Sequence, residues 1–246
     1  FADPDSVLTF TADGLPDGLM IDAESGLITG RLASDASVRG PYVITVTATD
    51  DRGAAVTDRF TLSANNTVPV AAADTARTPA DQVLASAPGA GVLANDMDAD
   101  GDTLVVARVN GEANMPGRSV AGDQGGLFRI NADGSYTFDP NGAFDTLAAG
   151  QSAITSVSYT VSDGQGGTRE SDFTVTVQGI NDAPTVMPID DQNARDREQV
   201  AIAAGSAFAD IDTGDNLTFT ANGLPMGLAI DTATGRITGQ LAADAS

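Results

Sequence analysis

A long internal duplication constrains this chain more than any other feature of its sequence. Residues 8–22 recur as residues 217–231, and the similarity continues to Ser37 in the first copy and to Ser246 in the second. Roughly two in three aligned positions are identical, a level that indicates duplicated structural units. The stretch between the two copies is longer and different in sequence. We therefore expect modules in the order A-B-A, with one copy of the duplicated sequence in each A module.

The local pattern favours β-strands throughout. β-Branched and small residues alternate over residues 41–49, 153–161 and 172–177, and Gly, Asp, Asn and Pro bound these stretches. The pair Asp133-Gly134 lies between two further strand-like stretches and predicts a tight hairpin. The only helix-like candidate is a short turn near residues 143–147. The sequence therefore predicts an all-β chain built from immunoglobulin-like β-sandwich modules.

Proline-containing junctions at residues 66–69 and 181–184 divide the chain. Because Pro stiffens a short linker, we expect modules 1–67, 68–182 and 183–246 to lie end to end as a rod. The first module is expected to lack its first strand, which corresponds to residues 199–202 of the last. The last is expected to lack its C-terminal strands, the counterpart of residues 38–62. Both would have open sheet edges, so we expect ends that are poorly ordered or completed by a neighbouring molecule.

Acidic residues are concentrated in loops that precede strand-like segments. The 246 residues include 34 acidic and 12 basic ones, and the formal net charge of -22 argues against binding to nucleic acid or to anionic lipid. Residues 95–102 place a carboxylate at every second position, and residues 1–5 and 208–215 carry related runs. Such carboxylates repel one another unless a cation lies among them. Oxygen ligands in this number suit Ca²⁺.

The absence of His and Cys removes several classes of chemistry. Without them, the chain cannot carry Ser-His-Asp or Cys-His catalysis, zinc sites with His or thiolate ligands, or disulfides. Paired carboxylates could in principle hydrolyse glycosides. Nothing in the sequence distinguishes such a pair from calcium ligands, so we expect that the protein is not an enzyme. No apolar run approaches the roughly 20 residues of a membrane span.

Two sets of motifs resemble known repeats. Residues 1–5, 14–16, 26–30 and 42–50 are similar to the dystroglycan-type cadherin-like repeat. Residues 91–102, 131–138 and 159–167 resemble the VCBS-type bacterial cadherin-like repeat, and the Asn-Asp-Ala-Pro junction at 181–184 is typical of both. This resemblance implies calcium-stiffened β-sandwich rods of the kind found in large bacterial surface and biofilm adhesins. Many of those are of the RTX type, exported by type I secretion.

If the sandwiches are joined end to end, acidic loops would meet at each junction, and three groups of Ca²⁺ ligands are predicted. The first group lies between the first two modules: Asn66, Asn95, Asp96, Asp98, Asp100, Asp102 and Asp163. The second group lies between the last two: Asn181, Asp182, Asp210, Asp212 and Asp215. The third group lies at the N-terminal end: Asp3, Asp5 and Asp50. Thr67 stands where the second junction has Asp182, which weakens the case for an ion bridging the first linker.

Isolated acidic residues such as Asp22, Asp133 and Asp231 have a simpler interpretation. Asp is common in tight turns because its side chain bonds its own backbone, so we expect these three to be turn residues and not metal ligands.

These features predict a calcium-stiffened extender segment of a bacterial cell-surface adhesin or fibre, extracellular or secreted, that projects or links other domains in cell adhesion or biofilm. The expected partners are neighbouring modules of the same chain, further copies associating into fibres or sheets, and extracellular polysaccharide. The alternative is a calcium-dependent module that binds polysaccharide or protein. Against it, Trp is absent, and Tyr42, Tyr136 and Tyr159 lie in predicted strands, where packing is the expected role.

Overall fold

The computed structural model describes residues 7–243. The first five strands form two small sheets. The strands are β1 (Thr9–Asp13), β2 (Leu19–Ile21), β3 (Ile28–Gly30), β4 (Tyr42–Thr49) and β5 (Ala55–Leu62). β4 lies between β1 and β5, and β2 pairs with β3; all of these pairs are antiparallel. A short helix, α1 (Ala36–Arg39), precedes β4. The small core of this part is formed by Ala36, Ile44 and Ala48.

The next eight strands form a sandwich of two four-stranded sheets, which we call the central sandwich. Its strands are β6 (Asp74–Pro79), β7 (Leu84–Ser86), β8 (Val105–Val109), β9 (Ser119–Ala121), β10 (Leu127–Ile130), β11 (Tyr136–Asp139), β12 (Ser152–Ser162) and β13 (Thr168–Gln178). One sheet has the order β6-β13-β12-β8 and the other has the order β7-β11-β10-β9. β6 runs parallel to β13, and the other pairs are antiparallel.

The central sandwich contains the largest hydrophobic core of the described residues. Alternate residues of β12 and β13 point into it, because side chains in a strand alternate between the two faces of the sheet. Phe128, Phe138, Tyr159 and Phe173 are fully buried there, and the rings of Phe128 and Phe138 lie 4.6 Å apart. This core holds the loops at both ends of the sandwich in place.

The last five strands form two small sheets, as the first five do. They are β14 (Thr185–Val186), β15 (Gln199–Ile202), β16 (Phe208–Ala209), β17 (Leu228–Ile230) and β18 (Ile237–Gln240). β18 lies between β15 and β17, and β14 pairs with β16. A 3-10 helix (Ala204–Ala207) connects β15 to β16.

The predicted all-β sandwich fold is confirmed, as is the hairpin at Asp133-Gly134, which joins β10 to β11. Residues 143–147 form the expected short turn, with the N–H of Leu147 donating to the carbonyl of Phe144 at 3.0 Å. One local expectation was wrong. Residues 217–219 form no strand, although their counterparts lead into β1, because the described chain supplies no partner like β4 beside them. Neither short helix of the described chain could cross a membrane.

Candidate metal centres at the ends of the central sandwich

Three carboxylates meet at one end of the central sandwich. Asp98 and Asp102 belong to the loop before β8, and Asp163 belongs to the loop between β12 and β13. The two loops lie side by side because β8 pairs with β12, with Val105 opposite Ser162. One carboxylate oxygen from each of the three acids lies within 4.8 Å of the others. The structure therefore brings together these three members of the first predicted group.

Internal hydrogen bonds shape the loop before β8, and three buried carboxylate oxygens of this loop, one each on Asp96, Asp98 and Asp102, have no hydrogen-bond partner within residues 7–243. Asp98 Oδ1 accepts the backbone N–H of Asp100 at 2.8 Å and that of Asp102 at 3.2 Å. Oδ2 of Asp98 and Oδ2 of Asp102 are buried and have no hydrogen-bond partner within residues 7–243. A buried carboxylate oxygen without a donor costs free energy unless a cation compensates its charge. This loop is therefore suited to a cation.

Asp163 is the most buried acid of the cluster, with a relative exposure of 3%. Its Oδ1 accepts the N–H groups of Gln165 at 2.7 Å and Gly167 at 2.9 Å, and its Oδ2 accepts Nδ2 of Asn66 at 2.8 Å. Burial alone would raise the pKa of Asp163, but these hydrogen bonds outweigh it and hold the pKa below its usual value. The carboxylate is therefore ionised at neutral pH.

The segment that precedes β6 is tied to the same loops. The backbone N–H of Thr67 donates to Asp100 Oδ2 at 2.6 Å, and Asn66 reaches Asp163 as described above. Oδ1 of Asn66 is buried and has no partner in the described part of the chain, so it is a further neutral oxygen available to a cation.

Asn95 and Asp96 lie outside this cluster and bond to the segment before β6. Asp96 Oδ1 accepts the N–H of Ala72 at 2.8 Å, and Asn95 Nδ2 donates to the carbonyl of Ala73 at 3.4 Å. Burial raises the pKa of Asp96. Burial, and to a smaller degree the charge of Asp96, raises the pKa of the neighbouring Asp74. These contacts position Asn95 and Asp96 to hold the connecting segment against the sandwich.

A second carboxylate cluster follows β16. Oxygens of Asp210, Asp212 and Asp215 lie within 4.8 Å of one another. Asp212 has a relative exposure of only 5%, and its N–H donates to Asp210 Oδ1 at 3.0 Å. Oδ1 of Asp212 is buried and has no hydrogen-bond partner within the described residues. The second predicted group therefore contains three acids that the structure brings together.

Both acidic loops bind the connecting segment through the same kind of backbone contact. The N–H of Asp182 donates to Asp212 Oδ2 at 2.8 Å, as that of Thr67 does to Asp100. Because the donor is a backbone group, Thr67 in place of an Asp leaves this bond intact at the first junction. Asn181 is exposed, and its Nδ2 donates to the carbonyl of Asp182 at 2.8 Å.

Two acids near the second junction, Asp81 and Asp145, belong to none of the predicted ligand groups. The pKa of Asp182 is raised by partial burial and then by the charges of Asp212, Asp145, Asp210 and Asp81. Asp145 and Asp81 are single acids in turns of the central sandwich and belong to no acidic run. Only a correct strand topology, which places both turns at this end, could have identified them.

The turn that contains Asp145 also contacts the second acidic loop directly. The N–H of Thr213 donates to the carbonyl of Thr146 at 2.9 Å. The side chain of Gln151 donates to the carbonyl of Thr213 at 3.3 Å. The second cluster is therefore packed against the central sandwich.

The third predicted group can be described only in part. Asp3 and Asp5 lie outside the described residues. Asp50 Oδ1 accepts the N–H groups of Arg52 at 2.9 Å and Ala54 at 2.7 Å, which closes the loop between β4 and β5. Asp163 closes the β12–β13 loop in the same way. Among the described residues, Asp50 belongs to no group of three acids close enough to share a cation.

The donor set determines which cation fits. All the converging side chains offer oxygen, as carboxylates or as the Asn66 amide, and imidazole and thiolate ligands are excluded because the chain has no His or Cys. Hard oxygen donors around a loop of flexible geometry suit Ca²⁺ better than Zn²⁺ or copper.

Comparison with known proteins divides the chain between two family models. The model described as "Bacterial cadherin-like domain" matches residues 66–179. The model described as "Putative Ig domain" matches residues 1–65 and 183–246. No curated protein matches the sequence.

Several solved structures are similar to the chain. Mouse cadherin-23 EC22-24 has a TM-score of 0.39 and 18% identity, over 98% of this chain and 78% of that one. The human desmocollin-1 ectodomain has a TM-score of 0.38 and 11% identity, over 98% and 49%. The protocadherin GammaB4 extracellular domain has a TM-score of 0.37 and 17% identity, over 96% and 40%. The chain thus spans less than two-thirds of the last two structures.

Proposed function

The chain belongs to the Ig-like family that its outer segments match and carries a bacterial cadherin-like domain between them, and from this premise we propose that it is a calcium-stiffened extender of an extracellular adhesin. Cadherin-like and Ig-like domains serve as extracellular adhesion-type or structural modules. Cadherin-like domains are in general not enzymes and typically bind calcium. The finer role proposed here is to hold other domains at a distance from a bacterial surface, in cell adhesion or biofilm.

The proposal rests chiefly on how each acidic loop contacts the connecting segment. At each junction, a single acidic loop accepts an N–H from the connecting segment and also has a buried carboxylate oxygen without a partner. The connecting segment and the candidate ligands are therefore parts of one local structure. A cation bound there would fix the segment and the loop together. We take the modules to be residues 1–67, 68–182 and 183–246.

The proposed stiffening depends on the side chains that would hold an ion at each junction. At the first junction, Asp98, Asp102, Asp163 and the amide oxygen of Asn66 would hold the ion. When Ca²⁺ is bound, it neutralises carboxylates that otherwise repel one another. Without the ion, this repulsion would favour separation of the loops and a change in the angle between modules.

The second junction would be held in a similar way. Asp210, Asp212 and Asp215 would bind the ion, with Asp145 and Asp81 adding negative charge from the central sandwich. The N–H of Thr213 donates to the carbonyl of Thr146 in the central sandwich, so this junction would have one connection that does not depend on an ion.

The proposed sites can be tested by calorimetric titration of the whole chain with Ca²⁺. Asp102→Asn and Asp212→Asn each remove one carboxylate charge, and each should weaken calcium binding at its own junction by at least about tenfold. Asp133→Asn is the matched control, since Asp133 accepts only the N–H and hydroxyl of Ser135 in a turn. Equal affinities in all four proteins, or no binding of calcium by the unaltered chain, would refute the sites.

Stiffening requires a separate measurement. Small-angle X-ray scattering with Ca²⁺ and with excess chelator should show a long, narrow distance distribution that becomes broader and more bent when the ion is removed. Superimposed profiles from a chain that does bind calcium would leave the sites intact and exclude their role as joint stiffeners.

The tyrosines give no support to the alternative of a sugar- or protein-binding module. Tyr159 is fully buried, and its hydroxyl lies 2.6 Å from Asp74 Oδ2. The ring of Tyr136 packs 4.4 Å from that of Phe173, and the Tyr42 hydroxyl donates to the carbonyl of Ala36. All three serve packing inside the sheets. We therefore propose the neighbouring modules, and further copies of the chain, as the main partners.

A further inference from the structure

One edge of β12, in the central sandwich, is only partly covered by a neighbouring strand. All 11 residues of β12 pair with β13 on one edge. On the other edge, β8 pairs only with residues 159–162. Residues 152–158 therefore extend past the end of β8, and their backbone groups that point away from β13 need other partners.

The sequence of β12 is typical of a strand that pairs readily with other molecules. Residues 152–162 are rich in Ile, Val, Thr and Tyr and include no charged residue, no Pro and no Gly. Segments of high β-propensity without charge or Pro form intermolecular sheets when their edge is exposed. The part of β12 that extends past β8 is therefore a place where two copies of the chain could pair.

Two side chains take the place of a neighbouring strand along this part of the edge. Asp123 Oδ1 accepts the N–H of Ser156 at 2.6 Å, and the N–H of Asp123 donates to the Ser156 carbonyl at 3.1 Å. Asn110 makes the same two bonds with Ser158, at 3.1 and 2.9 Å. In each pair, a side-chain oxygen replaces the backbone carbonyl that a strand would present. Two successive edge-facing residues of β12 are thus fully bonded.

Asn110 bonds in this way because it lies in the tight turn that ends β8. Its φ is 48° and that of Gly111 is 79°, and Asn tolerates a positive φ better than most residues do. The N–H of Glu112 donates back to the carbonyl of Val109 at 3.0 Å, which closes the turn. The backbone pairs with β12 no further than Val109, and the Asn110 side chain continues the pairing by one residue.

The loop that carries Asp123 is fixed against a buried residue of β12. Thr155 is fully buried, and its hydroxyl donates to the carbonyl of Gly125 at 2.9 Å. A Cβ at Gly122 would overlap Thr155 Oγ1, so only glycine allows the loop to approach β12 this closely. Hydrogen bonds, chiefly that from the Ser156 N–H, hold the pKa of Asp123 below its usual value. The exposed carboxylate is therefore charged at neutral pH.

We propose that Asp123 and Asn110 keep this edge of β12 from pairing with β12 of a second copy of the chain. Two identical antiparallel strands are related by a two-fold axis, so each β12 would present the other with the same edge. The bonds to Ser156 and Ser158 occupy the backbone groups that such a pair needs. The charge of Asp123 also repels a second chain, since each chain has a net charge of -22. This protection requires no metal ion.

Amide hydrogen exchange tests whether the two side chains close the edge. The double variant Asn110→Gly, Asp123→Ala removes both side-chain oxygens, and glycine tolerates the positive φ at residue 110. At low protein concentration, the Ser156 and Ser158 amides should exchange at least about tenfold faster than in the unaltered chain. The amide of Val175 in β13 should keep its protection, because Val175 pairs with β12 on the other edge, at Thr155. Unchanged exchange at residues 156 and 158 would refute the closure.

Sedimentation velocity in excess chelator tests what the closure prevents. As concentration rises, the average mass of the double variant should increase toward that of a dimer, beyond any increase in the unaltered chain. Asp133→Ala is the matched control, because it removes an exposed turn carboxylate that accepts only the N–H and hydroxyl of Ser135. An equal increase in this control, or no increase in a double variant whose edge amides exchange faster, would overturn the proposal.

A third substitution, Ser156→Pro, tests β12 as the contact between the copies. The Ser156 N–H points away from β13, so Pro leaves the β12–β13 hydrogen bonds in place while it removes a donor from the edge. Added to the double variant, Ser156→Pro should return the mass to that of the unaltered chain. Continued association of this triple variant would show that the copies meet elsewhere and would exclude pairing through β12.

Discussion

The two copies of the duplicated sequence reach different structures from nearly the same residues. In the first copy, Thr9–Asp13 forms β1 against β4. In the second, residues 218–222 form no strand, although four of the five residues are the same. Conversely, β18 has β15 along one edge, whereas β3 is paired with β2 alone within residues 7–243. The presence of a partner strand, and not local sequence, decides which stretch becomes a strand, as expected for an element whose hydrogen bonds all lie between strands.

Burial confirms that each copy is covered on a different side. Pro16 is buried in the first copy, whereas its counterpart Pro225 is exposed. Gly235 is buried beneath the segment that precedes the second copy, whereas Gly26 is half-buried. The same substitution at matched positions should therefore destabilise the two copies unequally. On one side of the duplicated unit the first copy should lose more stability, and on the other side the second copy should lose more.

The largest contrast is expected between Gly14→Ala and Gly223→Ala. Both glycines have positive φ, +79° and +73°, so each alanine should cost about 1 kcal/mol from backbone strain alone. A Cβ at residue 14 would also lie 2.3 Å from the carbonyl oxygen of Val43, whereas nothing lies within 4 Å at residue 223. Overpacking should add about 1–3 kcal/mol at residue 14 only.

The destabilisation by Gly14→Ala can be measured by native-state hydrogen exchange of the β4 amides. The destabilisation by Gly223→Ala can be measured in the same way on the β17 and β18 amides. Equal losses of protection in the two variants would mean that β4 does not cover the first copy as described. A smaller loss for Gly14→Ala than for Gly223→Ala would reverse the comparison.

The next contrast concerns the backbone of the unaltered chain. The N–H of Phe10 donates to the carbonyl of Ala23, so the neighbouring Thr11 faces β4, where it lies opposite Thr47. Its counterpart Thr220 has no partner strand in the described chain. The Thr11 amide should exchange at least about a hundredfold more slowly, which corresponds to about 2.7 kcal/mol of local opening free energy. Similar rates would show that the β1–β4 pairing is open in solution.

A smaller contrast in the opposite direction is expected for Gly235→Ala and Gly26→Ala. A Cβ at residue 235 would lie 2.5 Å from the backbone Cα of Gly205, which cannot move without displacing the 3-10 helix. At residue 26, the nearest atoms belong to the Phe10 ring at 3.1 Å, and a side chain can shift by this amount. Gly235→Ala should therefore cost about 1–2 kcal/mol more, measured by urea denaturation.

Local signals in the sequence were sufficient for part of the fold. Asp133-Gly134 predicted its hairpin because a tight turn needs only its own residues: the N–H of Gly134 donates to the carbonyl of Asn131, and that of Asn131 to the carbonyl of Ser135. Asp98, Asp102 and Asp163 could be grouped because they flank strands that were recognised as strands. The strand expected at residues 217–219 did not form, since it depended on a neighbouring strand that the local sequence pattern does not encode.

The remaining parts of the candidate sites depend on tertiary placement. Asp81 and Asp145 contribute charge only because two turns of the central sandwich lie at the same end. Asp96 belongs to the densest acidic run, but its carboxylate bonds to the N–H of Ala72, and spacing along the chain does not reveal which acids of a loop turn toward the linker. Sequence spacing thus located the acidic loops. It did not predict which of their acids join the carboxylate cluster and which bond to the connecting segment.

The smallest contrast, and the best control for the others, is expected in the turn that both copies share. Asp22 Oδ1 accepts the N–H and hydroxyl of Ser25, and Asp231 Oδ1 accepts those of Thr234. Chiefly through these bonds, the pKa of each carboxyl lies below its usual value. A lowered folded-state pKa means that each turn stabilises the fold above the unfolded-state pKa and loses this contribution as pH falls through the folded value.

Side-chain titration by NMR should give both carboxyls midpoints below that of an ordinary Asp and close to each other, because every bond involved is local. Asn at either position should remove this acid dependence to a similar extent. A normal midpoint for Asp231 beside a lowered one for Asp22 would show that even this turn needs the sheet formed by β4 and β5. The difference between the copies would then begin within the turn itself and not at the strands around it.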